Sequence, residues 1–327
     1  MTVREGQLDA MVSIVIPVLN EEENIPTIVA RLRVALENVV AYEIIFVDDG
    51  STDGTAELLR AIHAGDSRVH ALHLTRNFGH QTAISAGLLA ARGDGVVIMD
   101  GDLQDAPELI PTFVGQWRAG YEVVYAIRER RQEGWLKRGA YRVFYRMLAR
   151  LSRINIPLDS GDFSLVDRRV VDVLNSMPER ARFVRGMRSW SGFRQVGVSV
   201  DRAERLAGRP KYTFRKLMRL ALDGFFTFSY RPLQLASAFG ILVSSVAFAL
   251  ALFLVFLKVV HGIPLQGWTS LIVAVLFLGG VQLIGLGILG EYVGRIYEEV
   301  RRRPSFIVSA VTGKTRLEPG AVSIPPR

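Results

Sequence analysis

Five short runs of aliphatic and β-branched residues punctuate the first 130 positions of the chain: VSIVIP (Val12 to Pro17), EIIFVD (Glu43 to Asp48), VHALHL (Val69 to Leu74), GVVIMD (Gly95 to Asp100) and YEVVYA (Tyr121 to Ala126). Nearly continuous apolar runs of this length predict strands covered on both faces of a parallel sheet. The stretches between them, such as Asn24 to Glu37, carry apolar residues at helical spacing. The alternation predicts a doubly wound α/β domain with right-handed crossovers. In such domains ligands sit outside the carboxyl ends of the strands, and three of those ends are Pro17, Asp48 and Asp100.

The pattern changes in the last third. Leu233 to Leu257 and Thr269 to Gly290 contain no charged residue, and each is long enough to cross about 30 Å of hydrocarbon as a helix. Arg215, Lys216, Arg219 and Arg231 precede the pair, Arg295 and Arg301 to Arg303 follow it, and the link between holds one Lys. The positive-inside rule then places both termini in the cytoplasm. KYTFRKLMRLALDGFF (Lys211 to Phe226) reads as a basic amphipathic helix in the membrane interface. The expected organisation is a cytosolic catalytic domain over 1–210, juxtamembrane amphipathic helices over 211–231, two transmembrane helices (233–257 and 269–290) within 232–291, and a cytosolic tail over 292–327. The Pro- and Gly-rich residues Thr312 to Arg327 are expected to be disordered. Gly290 and Gly294 have the small-xxx-small spacing that can pack helices within a subunit or between subunits, the latter giving a homo-oligomer.

The 327 residues are 49% hydrophobic, enough for a full core, and the formal charge of +8 suits a phosphate-rich partner. Absence of Cys excludes disulfides and thiolate metal sites and is compatible with a reducing compartment. No secretory leader is read at the N-terminus. The basic residues gather beside the apolar spans rather than interleaving with aromatics on the α/β domain, which argues against a nucleic-acid partner.

Candidate chemistry collects at the strand ends. In Asp100-Gly101-Asp102-Leu103-Gln104-Asp105, two carboxylates separated by a Gly can hold a hard divalent cation bridging a diphosphate, with Gln104 as a neutral oxygen donor. Alone, such a triplet also describes an acidic turn or helix cap. A second acidic pair, Asp48-Asp49, ends another strand, and adjacent carboxylates repel unless a ligand or a donor offsets the repulsion. Asp53 is read as a cap. Glu22 and Glu23 complement a helix dipole. His80 is read as a neutral imidazole packed at a helix start.

IPVLNEEENI, FVDDGSTDGT, RNFGHQTAISAG and DGDLQDAPE together resemble family 2 glycosyltransferases of the GT-A (Rossmann-like) fold. GDFSLVDR, GRPKY and GEYVGRIYEEVRRRP after the apolar pair are similar to polyprenyl-phosphate glycosyltransferases, nearest by pattern to bactoprenol glucosyltransferases and further from dolichyl-phosphate mannosyltransferases. The resemblance runs from about Val12 to Pro304. It implies that Pro17, Leu19, Glu21 and Asp49 line a nucleoside pocket, that Asp100 faces ribose or diphosphate, and that Asp102 and Gln104 hold Mg²⁺ or Mn²⁺. A family segment that usually reads Arg-x-x-Gly-x-Ser-Lys-Tyr appears as Arg205-Leu206-Ala207-Gly208-Arg209-Pro210-Lys211-Tyr212. Arg205 and Lys211 are thereby assigned to donor phosphate, while Pro210 replaces the Ser. Arg128, Arg138 and Arg142 lie where the family binds acceptor phosphate, in a stretch that also reads as a solvated basic helix.

The implied reaction is an inverting transfer of a hexose, with glucose from UDP-glucose first and mannose from GDP-mannose second, onto undecaprenyl or another polyprenyl phosphate at the inner membrane. Asp162, in Ser160-Gly161-Asp162-Phe163, matches the position proposed as a base in relatives. A phosphate monoester has a second pKa of about 6 and is largely ionised at pH 7, so Asp162 is expected to orient rather than abstract. A processive polysaccharide synthase would need more spans and a Gln-x-x-Arg-Trp motif, which the chain lacks. A membrane-tethered, catalytically dead nucleotide-sugar scaffold would be expected to have lost Asp100, Asp102 and Asp162, all of which are present.

Overall fold

The computed structural model describes residues 10–128, 160–180, 182–200, 231–261 and 267–322. Described residues between 10 and 200, together with 302–322, form one compact unit, and those between 231 and 301 a second.

The first unit is built on β1 (Met11–Val18), β2 (Ala41–Asp48), β3 (Val69–Leu74), β4 (Gly95–Ile98), β5 (Val123–Arg128), β6 (Ser160–Asp167), β7 (Gln195–Val200) and β8 (Val308–Thr312). The sheet order is β7-β5-β6-β4-β1-β2-β3-β8. All five expected strands are present, and β1, β2, β3 and β4 pair in parallel. Helices α1 (Ile25–Leu36), α2 (Thr55–Gly65) and α4 (Ile110–Arg118) cover one face, contributing Ile28, Leu32, Leu59 and Phe113 to its core. Helices α3 (His80–Ala90), α5 (Arg168–Ser176) and α6 (Val184–Trp190) cover the other with Ile84, Leu88, Val171 and Met187. Coverage on both sides explains why the strand runs are continuously apolar.

The sheet is mixed rather than wholly parallel. β6 runs antiparallel to both β4 and β5. β8 lies antiparallel on β3, pairing Leu72 with Val311 and Leu74 with Val308. The expectation of a disordered tail is corrected for residues 312–322: Leu317 and Ala321 pack against the same core as the preceding Phe306 and Val308, and the backbone of β8 satisfies an otherwise open sheet edge.

The second unit contains α7 (Arg231–His261) and α8 (Trp268–Val300). Phe277–Val300 has a mean hydropathy of 1.4 and leaves its most apolar window wholly uncovered, whereas α7 contributes a shorter apolar stretch, Ala236–Leu250. Among the described residues, one segment thus has the length and hydropathy to cross a membrane, where two were expected.

Candidate active site

The strand order places β1 between β2 and β4, so the carboxyl ends of these three strands and the loops after them are neighbours. Val18 pairs with Asp48, and the backbone N–H of Asp49 donates to Val18 O at 2.9 Å. The two following loops are laced together. Asn20 N donates to Ser51 Oγ at 2.9 Å, Thr52 N donates to Asn20 Oδ1 at 2.8 Å, and Glu21 N donates to Thr55 Oγ1 at 3.2 Å. A cavity of about 150 Å³ lies against Glu21, Glu22, Glu23 and Asp53.

The adjacent carboxylates diverge. Asp48 turns back into the protein, accepting from Ser51 N at 2.9 Å and lying 2.9 Å from His73 Nδ1; His73 Nε2 in turn lies 3.1 Å from Thr312 Oγ1 of β8. Burial pushes the Asp48 carboxyl up, but the bonds from His73 and Ser51 outweigh it and hold the group below its ordinary value. Asp49 accepts from Phe78 N at 2.7 Å and Gly79 N at 2.9 Å. Burial is the larger influence there, and the Asp49 carboxyl lies above its ordinary value. Protein donors thus serve both groups. Gly79 has φ 100°, a conformation that favours glycine and that turns its N–H toward Asp49 immediately before α3 begins.

At the end of β4 the acidic loop is tightly wound. Asp100 N donates to Asp105 Oδ2 at 3.1 Å, Gln104 N donates to Asp102 Oδ1 at 3.1 Å, and Leu103 adopts φ 59°. A Cβ on Gly101 would stand 2.9 Å from Val18 Cγ1 and 3.1 Å from Pro17 O. The glycine is therefore needed for packing against β1, in addition to any approach to a ligand. Asp102 is exposed and Asp105 buried. Among the described residues, no group of three or more His, Asp or Glu side chains is arranged to hold a metal ion. The exposed Asp102 carboxylate and neighbouring Gln104 are hard oxygen donors, which suit Mg²⁺ or Mn²⁺ when substrate phosphates supply the remaining ligands.

The helix that follows Gly79 brings in residues the sequence left without a role. His80 Nε2 lies 3.4 Å from Asp100 Oδ1 and 3.9 Å from Asp162 Oδ2, and its side chain is 46% exposed. Gln81 Nε2 donates to Asp162 Oδ2 at 3.2 Å, while Gln81 Oε1 accepts from Val184 N at 3.0 Å. Asp162 projects from β6 beside α6, where Arg185 Nε and Nη2 each lie 3.4 Å from its Oδ1. Arg188, one helical turn on, is 1% exposed and stacks 5.3 Å above the Tyr125 ring. Burial pushes its guanidinium down to about 10 against the pull of Asp162, so it stays cationic at neutral pH. The structure thus unites Asp100 and Asp162 around His80. His80, Gln81, Arg185 and Arg188 escape a reading of the sequence because their partners lie on distant strands. The only local signal is the spacing of Arg185 and Arg188 along one helix face.

The remaining expected residues are distributed as follows. Pro17 is buried within β1, whereas Leu19 is exposed beside Glu21. Arg128 ends β5 opposite Val200. Arg138, Arg142, Arg205, Lys211 and the 211–230 amphipathic segment lie outside the described residues.

Residues 13–174 match the family described as glycosyl transferase family 2. The chain is 45% identical over 303 residues to an uncharacterized glycosyltransferase of Synechocystis, covering 92% of this chain and 95% of that one. It is 43% identical over 300 residues to a prophage-derived bactoprenol glucosyl transferase of Shigella flexneri, covering 91% and 97%. Among solved structures it resembles glucosyl-3-phosphoglycerate synthase from Mycobacterium tuberculosis in complex with uridine diphosphate. That match is 21% identical, has a TM-score of 0.48 and covers 70% of this chain and 83% of that one.

Proposed function

Because this chain belongs to glycosyl transferase family 2, we propose that it transfers a hexose from a nucleotide sugar to a polyprenyl phosphate, with inversion at the anomeric carbon. The observation that carries the reading is the convergence of Asp100 and Asp162 on His80 at the strand ends, in a chain similar along nine-tenths of its length to bactoprenol glucosyl transferases. Glucose from UDP-glucose is the preferred donor, on the strength of those relatives' names; GDP-mannose is the alternative.

The acidic surroundings of Glu21 suit a nucleoside, whose ribose hydroxyls and base N–H groups donate hydrogen bonds to carboxylates. They do not suit a diphosphate, which they would repel. The diphosphate belongs by the Asp100–Gln104 loop, where Asp102 and Gln104 would hold Mg²⁺ or Mn²⁺. Such an ion offsets the charge that develops on the departing diphosphate. Arg205 and Lys211 are assigned to the same phosphates from their motif, and Arg128 and Arg138 to the acceptor.

In the reaction, a phosphate oxygen of the acceptor forms a bond to the anomeric carbon as the bond to the donor diphosphate breaks, and the electron pair leaves with the nucleoside diphosphate. The nucleophile arrives ionised, its second pKa being about 6. Asp162 therefore acts as an orienting group. Its Oδ2 already accepts from Gln81 and its Oδ1 faces Arg185, an arrangement suited to holding a position rather than to taking a proton.

Membrane attachment through the second unit accords with a lipid acceptor. β8 follows α8 in the chain yet shares a sheet with β1–β7, which favours an even number of crossings, and the Arg residues on either side of residues 231–301 favour the cytosolic side for the catalytic unit. The test is to incubate membranes bearing the chain with a panel of radiolabelled nucleotide sugars and undecaprenyl phosphate. Label from UDP-glucose should become soluble in organic solvent, and Asp102→Ala should stop it. No extractable label from any donor would overturn the reading.

A further inference from the structure

The pairing of Asp162 with Arg185 is loose by the standard of this protein. Both contacts from the Arg185 guanidinium to Asp162 Oδ1 measure 3.4 Å, whereas Arg31 grips Glu108 at 2.8 and 2.7 Å. Charge-assisted bonds of good geometry run about 2.7–2.9 Å. Arg185 is also 27% exposed, so its planar fork remains accessible on one side.

Behind it stands a second, buried cation. Arg188 is 1% exposed, and its Nε makes no hydrogen bond among the described residues. The carboxylate that acts on it is Asp162, which Arg185 also faces. Two guanidinium groups on one helix face thus share one carboxylate. Two cations beside one carboxylate, one of them buried, favour the approach of a further anion. Asp162 would keep the Gln81 amide, at 3.2 Å, if Arg185 turned away. Gln81 also accepts from Val184 N, which pins the start of α6 and holds Arg185 at the edge of the site.

We propose that Arg185, backed by Arg188, binds the phosphate monoester of the acceptor, and that Asp162 holds the Arg185 guanidinium until that phosphate takes over the contact. The assignment deepens the reading of the site as one that glycosylates a lipid phosphate and rests on it. A guanidinium fork matches two phosphate oxygens at once and leaves the third oxygen directed at the anomeric carbon. On this account Asp162 and the acceptor exchange places on Arg185, so an empty acceptor site carries no stranded surface cation.

The test uses the full-length chain in detergent and measures binding of farnesyl phosphate, inorganic phosphate and uridine diphosphate to the wild type, Arg185→Ala, Arg185→Lys and Arg188→Met. Arg185→Ala should weaken farnesyl phosphate binding about tenfold or more and leave uridine diphosphate binding within about twofold, as expected for loss of a hydrogen bond to a charged group. Arg185→Lys should recover part of the loss. In transfer assays the KM for undecaprenyl phosphate should rise in Arg185→Ala while the donor KM holds. Arg188→Met should weaken farnesyl phosphate binding by a smaller factor than Arg185→Ala, and wild-type affinity in it would overturn the backing role of Arg188. Wild-type farnesyl phosphate affinity in Arg185→Ala overturns the proposal, as does an equal loss of uridine diphosphate binding, which would move the guanidinium to the donor. Inorganic phosphate bound as tightly as farnesyl phosphate would make the site one for free phosphate and overturn the lipid assignment. A wild type that binds farnesyl phosphate through Arg185 yet transfers no sugar would contradict the proposed reaction and leave the phosphate site standing.

Discussion

The side-chain amide of Gln81 donates to Asp162 Oδ2 at 3.2 Å, fixing a carboxylate on β6 from the first turn of α3. Replacing that amide by a carboxylate, Gln81→Glu, removes the donor and sets like charges together, while an acceptor for Val184 N remains. The expected outcome is a fall in kcat/KM of about 10- to 100-fold, the scale of a hydrogen bond to a charged group, with little change in the thermal melt. Steady-state kinetics and calorimetry on one preparation check both halves.

Asp162→Asn should lower turnover without removing the acid limb of the pH–rate profile. If the acceptor phosphate is the group that must ionise, that limb stays at about pH 6 in the variant. A limb that disappears in Asp162→Asn would restore the carboxylate as a base.

Asp48 belongs to the scaffold through His73. Its carboxyl is held below the ordinary value, so its contribution to stability is present above the ordinary carboxylate range and is lost as pH falls through the lowered value. His73→Ala removes the partner of both Asp48 and Thr312 and should cost about 1–3 kcal/mol at neutral pH, chiefly in folding. Urea melts across the acid range should show the gap between the two proteins narrowing as pH drops.

β8 and the turn before it are structural. Phe306 is 1% exposed within the core beneath α3 and α5, and Phe306→Ala should destabilise the catalytic unit by about 3–5 kcal/mol, read from a denaturant melt. A variant that melts like the wild type would mean the tail does not pack there in solution.

The strands were legible because burial on both faces makes a strand continuously apolar, and the two acidic strand ends, Asp48 and Asp100, because carboxylates break such runs. Legibility failed where partners are distant. Val308–Thr312 pairs with β3 from the far end of the chain, and no local pattern distinguishes that strand from a polar tail. His80 reads as a packed imidazole until β4 and β6 place Asp100 and Asp162 on either side of it. Adjacent Asp48 and Asp49 called for a ligand or a donor to offset their repulsion, and the donors, His73 and the amides of Phe78 and Gly79, come from segments no local pattern connects to them. The long helices were visible as uncharged runs: Leu233 to Leu257 lies within α7 and Thr269 to Gly290 within α8.

Glycosyl transfer to a lipid phosphate differs from sugar-phosphate transfer in the nucleotide it releases. The decisive measurement follows nucleotide release and organic-soluble label together, with purified chain, radiolabelled UDP-glucose, undecaprenyl phosphate and Mg²⁺. One uridine diphosphate should appear for each labelled lipid formed. Release of uridine monophosphate, or of uridine diphosphate without labelled lipid, would contradict the proposed reaction.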